Sequence, residues 1–350
     1  MGKRIVVVGA GAVGGYVGGR MARAGHDVTL IDPWPQHVDY IRGHGLQLSG
    51  MTPQERHTVK VKAMHICDVQ SLSKQTPIDI AFISTKSYDT EWAAPLIQRY
   101  LAPDGFIVSL QNCFNEECIA YYVGWGRVLG CIASSIAVDL YQPGHIKRTG
   151  PLGGEKHIVF RVGEAHGRIT KRAEEVAQLV SAADSAKVIT NLWGERWSKL
   201  VINSMRNGLS TVTGLSGGER DLNDIVRWVG IRLGSQALRV GQALGFQLVS
   251  MQGMKPETLV RAGEGSQDAL AEITEILRTT ARERSDDQRP SMVQDIMKGR
   301  RTENDFINGF VAAKGAEIGV PAPLHAALNE LVKKIERHEI SPSPDNVANL

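Results

Sequence analysis

Apolar residues follow two different rhythms along this chain. Through roughly its first half, short β-branched runs alternate with helix-length stretches, beginning with a run at 5–8, a helical stretch after the glycines at 9–14, and a second run at 27–31. An uninterrupted apolar run reads as a strand buried on both faces, the habit of a parallel sheet. A helix near 36–42 follows, and then a candidate strand pair at 46–48 and 58–63. Residues 78–84 read as another central parallel strand. A helix over about 89–100 comes next, ended by a turn at Ala102-Pro103-Asp104-Gly105, and 106–110 form the next strand. Over 127–161, short apolar runs broken by Gly and Pro predict a mostly antiparallel continuation of the sheet. Helical period returns at 168–183, and Val188-Ile189 end the strands. From Trp193 onward the pattern is of long helices through Lys334.

Between the first strand and its helix stands Gly9-Ala10-Gly11-Ala12-Val13-Gly14. Gly9 permits a tight turn, Gly11 lets backbone approach a pyrophosphate, and Gly14 lets the helix lie against the strand with its N–H groups facing the phosphates. Strand, glycine turn, helix and a terminal acid, Asp32, complete a dinucleotide-binding fingerprint in its required context. The fold class is therefore α/β: a Rossmann-type doubly wound sheet domain over residues 1–187, followed by an all-helical domain over 188–340 and a flexible tail over 341–350.

Asp32 bears on which dinucleotide binds. A carboxylate there accepts hydrogen bonds from ribose hydroxyls, each contributing about 1.5–3 kcal/mol. It repels a 2′-phosphate by roughly 4 kcal/mol at about 4 Å and an effective dielectric near 20. Pro33-Trp34-Pro35-Gln36-His37 supplies no Lys or Arg to neutralise that phosphate, so NAD(H) is favoured; NADP(H) stays open through the more distant Arg42.

With 350 residues, 42% of them apolar and 22% charged, the chain has material for two domains with real cores. A dispersed net charge of +3 leaves no nucleic-acid footprint, and no apolar run approaches membrane-spanning length. The first core strand begins almost at the first residue, so a cytoplasmic protein without a cleaved signal is expected. Cys67, Cys113, Cys118 and Cys131 show no zinc spacing and read as reduced core thiols; no metal is expected. Apolar helical surface around 228–246 is compatible with domain core and with a homodimer face alike.

Candidate chemistry gathers in three places. Lys86 and Asn112 sit just past strand ends, where doubly wound sheets bind ligands. Lys199, Asn203 and Asn207 recur at i, i+4 and i+8, a polar stripe on a helix otherwise lined by Leu200, Val201, Ile202 and Met205. A solvated helix face is the bland reading; a ligand with a carboxylate and a keto oxygen is the functional one. Ser291 and Gln294 have the spacing of a helix capping box, and Glu303 follows in a charged run.

Ordered blocks turn these fragments into a resemblance. GAGAVG, Ser84-Thr85-Lys86-Ser87-Tyr88, Gln111-Asn112-Cys113 with Glu116-Glu117, the Lys199-Asn203-Asn207 helix, and Ser291 to Asp295 with Arg301-Thr302-Glu303 and Ile307-Asn308-Gly309 together resemble the ketopantoate reductases over nearly the whole chain. The resemblance implies that Lys199 is the general acid that protonates a keto oxygen as hydride arrives from nicotinamide. Glu303, as a second catalytic residue, would hold the substrate hydroxyl at the cofactor. Asn203, Asn207 and Ser291 would hold substrate, and Lys86 and Asn112 would orient nicotinamide, ribose and substrate. A small oxo or hydroxy acid is the implied partner, with ketopantoate as first candidate.

Four positions depart from that family's pattern: Gly208 stands where a proline is usual, Gly217 where an asparagine touches substrate, Cys113 where a glycine is usual, and Asp32 where a base is usual. The stretch 246–290 is also longer than in compact members. Two alternatives follow, a dehydrogenase oxidising a different secondary alcohol or hydroxy acid, and a noncatalytic NAD(P) sensor.

Overall fold

The computed structural model describes residues 2–282 and 290–350; the 283–289 end of the charged run that closes the longer stretch lies outside the described residues. Contacts divide the chain into two units, Met1–Leu192 and Trp193–Leu350.

In the first unit the strands are β1 (Arg4–Val8), β2 (Asp27–Asp32), β3 (Leu46–Ser49), β4 (His57–Val59), β5 (Lys62–His65), β6 (Ile78–Ile83), β7 (Leu101–Ser109), β8 (Val128–Ala133), β9 (Val138–Gln142), β10 (His145–Arg148), β11 (Phe160–Glu164) and β12 (Ala186–Ile189). Helices α1 (Ala12–Arg23), α2 (Pro35–His44), α3 (Thr90–Gln98), α4 (Glu116–Val123) and α5 (Lys171–Ser181) connect them. Eight strands form the main sheet in the order β12-β11-β8-β7-β6-β1-β2-β5. From β5 to β8 every pairing is parallel, and the chain direction of assembly reverses at β1 and β6, the switch point of a doubly wound sheet.

Four sequence expectations differ from the structure. The 127–161 region does not continue the main sheet antiparallel throughout: β8 stays parallel to β7, only β11 pairs antiparallel with β8, and β9 and β10 leave for a second sheet ordered β4-β3-β10-β9. Residues 58–63 are likewise not one strand, since β4 joins the second sheet and β5 the first. Alternation tells which face of a strand is buried, and nothing in it names the partner strand. The turn expected at 102–105 lies inside β7, where the pairing with β6 slips register, and α4 follows β7 unforeseen. None of the four cysteines forms a disulfide, but Cys67 is exposed and Cys118 half-buried, so only Cys113 and Cys131 are core residues.

Helix α1 lies between the two sheets, and its glycines say why. A methyl group on Gly14 would sit 2.8 Å from Ser84 Cβ and 2.1 Å from the Gly9 carbonyl oxygen; on Gly18 it would meet Leu30 at 2.6 Å. On Gly15 and Gly19 it would instead meet Ile146 at 2.5 Å and Leu46 at 2.6 Å, residues of the second sheet. Two glycine pairs at i, i+4 therefore make two flat faces, each letting one sheet come within backbone distance.

The second unit is helical: α6 (Leu192–Thr213), α7 (Gly217–Leu222), α8 (Asp224–Ala243), α9 (Pro256–Gly263), α10 (Gln267–Arg282), α11 (Ser291–Met297), α12 (Asn304–Glu317) and α13 (Pro323–Glu336). Gly230, Gly234 and Gly241 of α8 form a seam against Met205, Leu209 and Trp197 of α6. Trp197 is fully enclosed and donates its Nε1–H to the Ala237 carbonyl at 2.8 Å. Within the longer stretch, α10 buries Ala269, Ile273, Leu277 and Ala281 at every fourth position and packs on α7 and α9. The tail is held and not frayed: Ser343 N–H and Asn346 Nδ2 both donate to the Val212 carbonyl, at 3.0 and 3.1 Å, and Val347 is buried. The boundary also falls beyond 187, because β12 pairs with β11 through Ile189.

These contacts separate two glycines that look alike in the motif. A Cβ on Gly11 meets no protein atom within 4 Å. Gly14→Ala is expected to lower stability by about 2–3 kcal/mol, with a visible fall in thermal midpoint, whereas Gly11→Ala costs less than about 1 kcal/mol. Calorimetry on both variants checks this, and equal midpoints would refute the packing role given to Gly14.

Candidate active site

The ends of β1 and β6 lie side by side, Val8 opposite Ile83, so the segments that follow them emerge together. Gly9 leaves β1 with φ +91°, and a Cβ there would lie 2.7 Å from the Thr85 amide nitrogen; only glycine fits both the turn and the neighbour. Ala10 N–H donates to Asp32 Oδ2 at 2.8 Å, and Trp34 N–H donates to Asp32 Oδ1 at 2.9 Å. Asp32 is thus a buried brace for the glycine turn, a task the sequence did not reveal. A carboxylate oxygen can accept more than one hydrogen bond, so bracing is compatible with ribose recognition. No side chain caps α1, and Gly11 opens onto empty space at its start. A pyrophosphate fits this combination of free helix-terminal N–H groups and absent side chain.

The loops after β6 and β7, which carry Lys86 and Asn112, are tied to each other. Gln111 Nε2 donates to the Thr85 carbonyl at 3.1 Å and to Thr90 Oγ1 at 2.8 Å. Asn115 Nδ2 donates to the Asn112 carbonyl at 2.7 Å and to Ser87 Oγ at 3.3 Å. Both amides are buried; Gln111 stood in a matched block without a role and Asn115 was not singled out, though a run of amides directly after a buried strand was the available signal. Between them, Cys113 takes the left-handed φ of +63°, the conformation a glycine would accept freely and any other residue holds at a cost of roughly 1–2 kcal/mol. Lys86 and Asn112 are half-buried.

In the second unit α6 presents the predicted stripe. Lys199, Asn203 and Asn207 are half-buried, while Leu200, Val201, Ser204 and Met205 between them are buried. The side-chain amides of Asn203 and Asn207 have no hydrogen-bond partner among the described residues. The first turn of α12 abuts the same part of α6. Asn308 Nδ2 donates to the Ser204 carbonyl at 3.0 Å, and a Cβ on Gly208 would stand 3.1 Å from Asn308 Oδ1 and 3.2 Å from Asn304 Oδ1. Gly208 is therefore the residue that admits these two amides. Glu303, buried at the head of α12, is carried to this region by the neighbouring anchors: Thr302 N–H donates to Glu336 at 2.6 Å, and Asn304 Nδ2 to Asn329 at 2.8 Å.

Two other expectations resolve differently. Ser291 forms no capping box with Gln294, because Pro290 occupies the capping position and Ser291 is the first helical residue, exposed. The structure does not bring Ser291 into hydrogen-bond contact with the α6 stripe. At α7 a capping box does form, Ser216 with Glu219, which accounts for the Ser216-Gly217-Gly218-Glu219 segment structurally.

Beneath the stripe, His325 is fully buried. Asn308 Nδ2 lies 3.0 Å from its Nδ1, and its Nε2 lies 2.8 Å from the Leu233 carbonyl, so Nε2 carries the proton and Nδ1 accepts. Burial pushes its pKa down to about 4.

The first unit carries a glycine turn at the switch point of a parallel sheet, a seat for a dinucleotide, and the helical unit carries an ammonium and two amides on one helix face; the chain is a nicotinamide-dependent oxidoreductase of the kind acting on CH–OH donors. Residues 5–158 match the family Ketopantoate reductase PanE/ApbA, and residues 191–336 match Ketopantoate reductase PanE/ApbA C terminal; the chain belongs to the ketopantoate reductase family. It is 29% identical over 336 residues to the 2-dehydropantoate 2-reductase of Archaeoglobus fulgidus, covering 95% of this chain and 98% of that one. Among solved structures it resembles a PanE/ApbA family ketopantoate reductase from Ralstonia eutropha JMP134 (TM-score 0.77, 28% identity, 96% and 99% coverage). D-mandelate dehydrogenase, solved with NADH and anilino(oxo)acetate, has the same fold (TM-score 0.78, 23% identity, 96% and 98% coverage).

His325 makes a stability prediction. Its folded pKa lies below its unfolded value, so the unfolded chain binds the extra proton, and stability is full above about pH 6.5 and falls as pH drops towards 4. The loss should reach about 3 kcal/mol, at up to about 1.4 kcal/mol per pH unit. Urea unfolding at several pH values should show this slope in the wild type and a shallower one in His325→Gln.

Proposed function

We propose that this protein reduces a 2-oxo acid with NADH, with ketopantoate as the first candidate substrate and Lys199 as the general acid. The observation that carries the reading is the α6 stripe: a lysine and two amides without a partner among the described residues, held half-buried on a helix that buries Leu200, Val201, Ser204 and Met205 beside them. Amides without a protein partner on a well-packed helix are available to hydrogen-bond a ligand.

When bound, the nicotinamide supplies or accepts the hydride. Negative charge then develops on the former keto oxygen, and a preplaced ammonium that can also release a proton is the group best suited to meet it. Lys199 fills that role, and the Asn203 and Asn207 amides, with Ser291, would hold the substrate carboxylate. Glu303 would accept a hydrogen bond from the substrate hydroxyl. Lys86 and Asn112, on loops made rigid by Gln111 and Asn115, would orient the nicotinamide end of the dinucleotide. Asp32 supports NADH over NADPH. So does Arg42, the base that could otherwise meet a 2′-phosphate, since it is engaged by Asp68 at 2.7 Å and the Ala63 carbonyl at 3.0 Å.

A second reading is oxidation of another hydroxy acid, with Lys199 as base; an NAD⁺-selecting Asp32 favours it. Initial rates with NADH and NADPH against a panel of oxo acids led by ketopantoate, on wild type and Lys199→Ala together, test both. NADH-preferring reduction of ketopantoate that falls about 10²–10⁴-fold in the variant is the expected result. Lys199-dependent turnover of a different acid moves the specificity to the departures at Gly208 and Gly217. Dinucleotide binding with no turnover of any substrate overturns the enzymatic assignment of Lys199.

A further inference from the structure

A buried histidine stands behind the glycine turn. His37, on α2, is completely enclosed, and both of its ring nitrogens are engaged. Gly144 N–H, in the turn between β9 and β10 of the second sheet, donates to Nδ1 at 2.8 Å, so Nε2 bears the proton and donates it to the Ala10 carbonyl at 2.9 Å. Trp34 stacks on the ring, with centroids 5.6 Å apart and planes 14° from parallel. Gly144 is itself seated without slack, because a Cβ there would overlap the Tyr40 ring. The imidazole therefore spans two fixed points, the middle of the glycine turn and the tip of a hairpin in the other sheet.

Peptide planarity makes that span consequential. The Ala10 carbonyl and the Gly11 N–H belong to one trans peptide and point in opposite directions. Holding the carbonyl inward on His37 turns the Gly11 N–H outward, and this N–H has no partner among the described residues. A Cβ on Gly11 would likewise meet no protein atom within 4 Å. Asp32 meanwhile holds the Ala10 N–H, so both polar groups of Ala10 are taken by side chains.

We propose that His37 is a positioning residue for the dinucleotide, a strut from the second sheet that aims the Gly11 N–H at the pyrophosphate. The inference rests on the reading that the glycine turn holds a dinucleotide. It assigns a binding role to the second sheet, whose hairpin is the far anchor of the strut. Burial lowers the pKa of His37 against the opposing pull of Asp32, which agrees with the single-proton form that the two hydrogen bonds require.

The test compares wild type with His37→Met, which keeps the volume and removes both polar ends, and with His37→Gln, whose amide restores a donor beside an acceptor. NADH and ADP-ribose affinities are read by fluorescence and calorimetric titration, alongside kcat, KM and thermal midpoint. His37→Met is expected to weaken both ligands about tenfold and to raise KM for the dinucleotide equally, with kcat at saturation within about twofold; His37→Gln should recover to within about threefold of wild type. Unchanged affinity in folded His37→Met overturns the inference, as does a fall in kcat that matches the rise in KM. If His37→Met does not fold, the decision passes to His37→Gln, in which native stability with a tenfold weaker affinity for both ligands overturns the donor–acceptor account and native affinity supports it. Failure of the wild type to bind NADH, NADPH or ADP-ribose is a different result, which removes the dinucleotide reading itself.

Discussion

The placement of α1 between two sheets is the constraint from which the first unit follows. A helix can be approached within backbone distance on two sides only if neither side carries side chains, and α1 meets this with Gly14 and Gly18 towards the main sheet and Gly15 and Gly19 towards the second. Close approach on the first side sets the head of α1 directly beyond β1, with Ser84 against Gly14. On the other side it brings Ile146, Leu46 and Leu48 onto the helix, and with them the β9–β10 hairpin. The dinucleotide turn thus sits at a junction of two layers, and its geometry is set from both. Packing at this density leaves no room for the turn to adopt a second arrangement, which suits a site that must present fixed N–H groups.

A comparable economy of side chains operates in the second unit. Gly230, Gly234 and Gly241 let α8 lie against α6, and Gly208 lets the amides of Asn304 and Asn308 reach it from α12. With most of its remaining residues buried, α6 leaves Lys199, Asn203 and Asn207 partly open, together with Trp193, Glu195 and Ile202. A long, largely packed helix is a rigid support, which suits the proposed proton donor because developing charge is best met without reorganisation. The same packing explains why His325 stays neutral beneath the stripe and why the last residues of the chain, fastened to the end of α6 at Val212, are ordered.

Much of the candidate site was legible because its signals are local. The strand–turn–helix–strand fingerprint lies within about thirty residues, the range over which glycine and acid spacing carries meaning. Lys199, Asn203 and Asn207 were visible as one face because helical period is a property of the sequence itself. Gln111, Asn115 and His37 were not visible as parts of the site. Their partners lie on other elements: Thr85 and Thr90 for Gln111, Ser87 for Asn115, and Gly144 for His37. The capping box expected of Ser291 and Gln294 failed for a local reason, since Pro290 takes the capping position and leaves Ser291 as the first helical residue.

By itself the sequence determined the strand runs, the glycine turn with Asp32 at the end of the second strand, the polar line on a buried helix, and the order of a sheet domain before a helical one. Each of these depends on residues near one another along the chain, whose geometry the backbone period enforces. Tertiary structure alone decided that β9 and β10 leave the main sheet, that residues 58–63 split between two sheets, that Asp32 braces Ala10, and that the tail is anchored. Hydrophobic alternation specifies which face a strand buries and leaves its partner to be selected by what packs beside it. A hydrogen bond joining residues 107 positions apart, as between His37 and Gly144, exists only once the fold has brought them together.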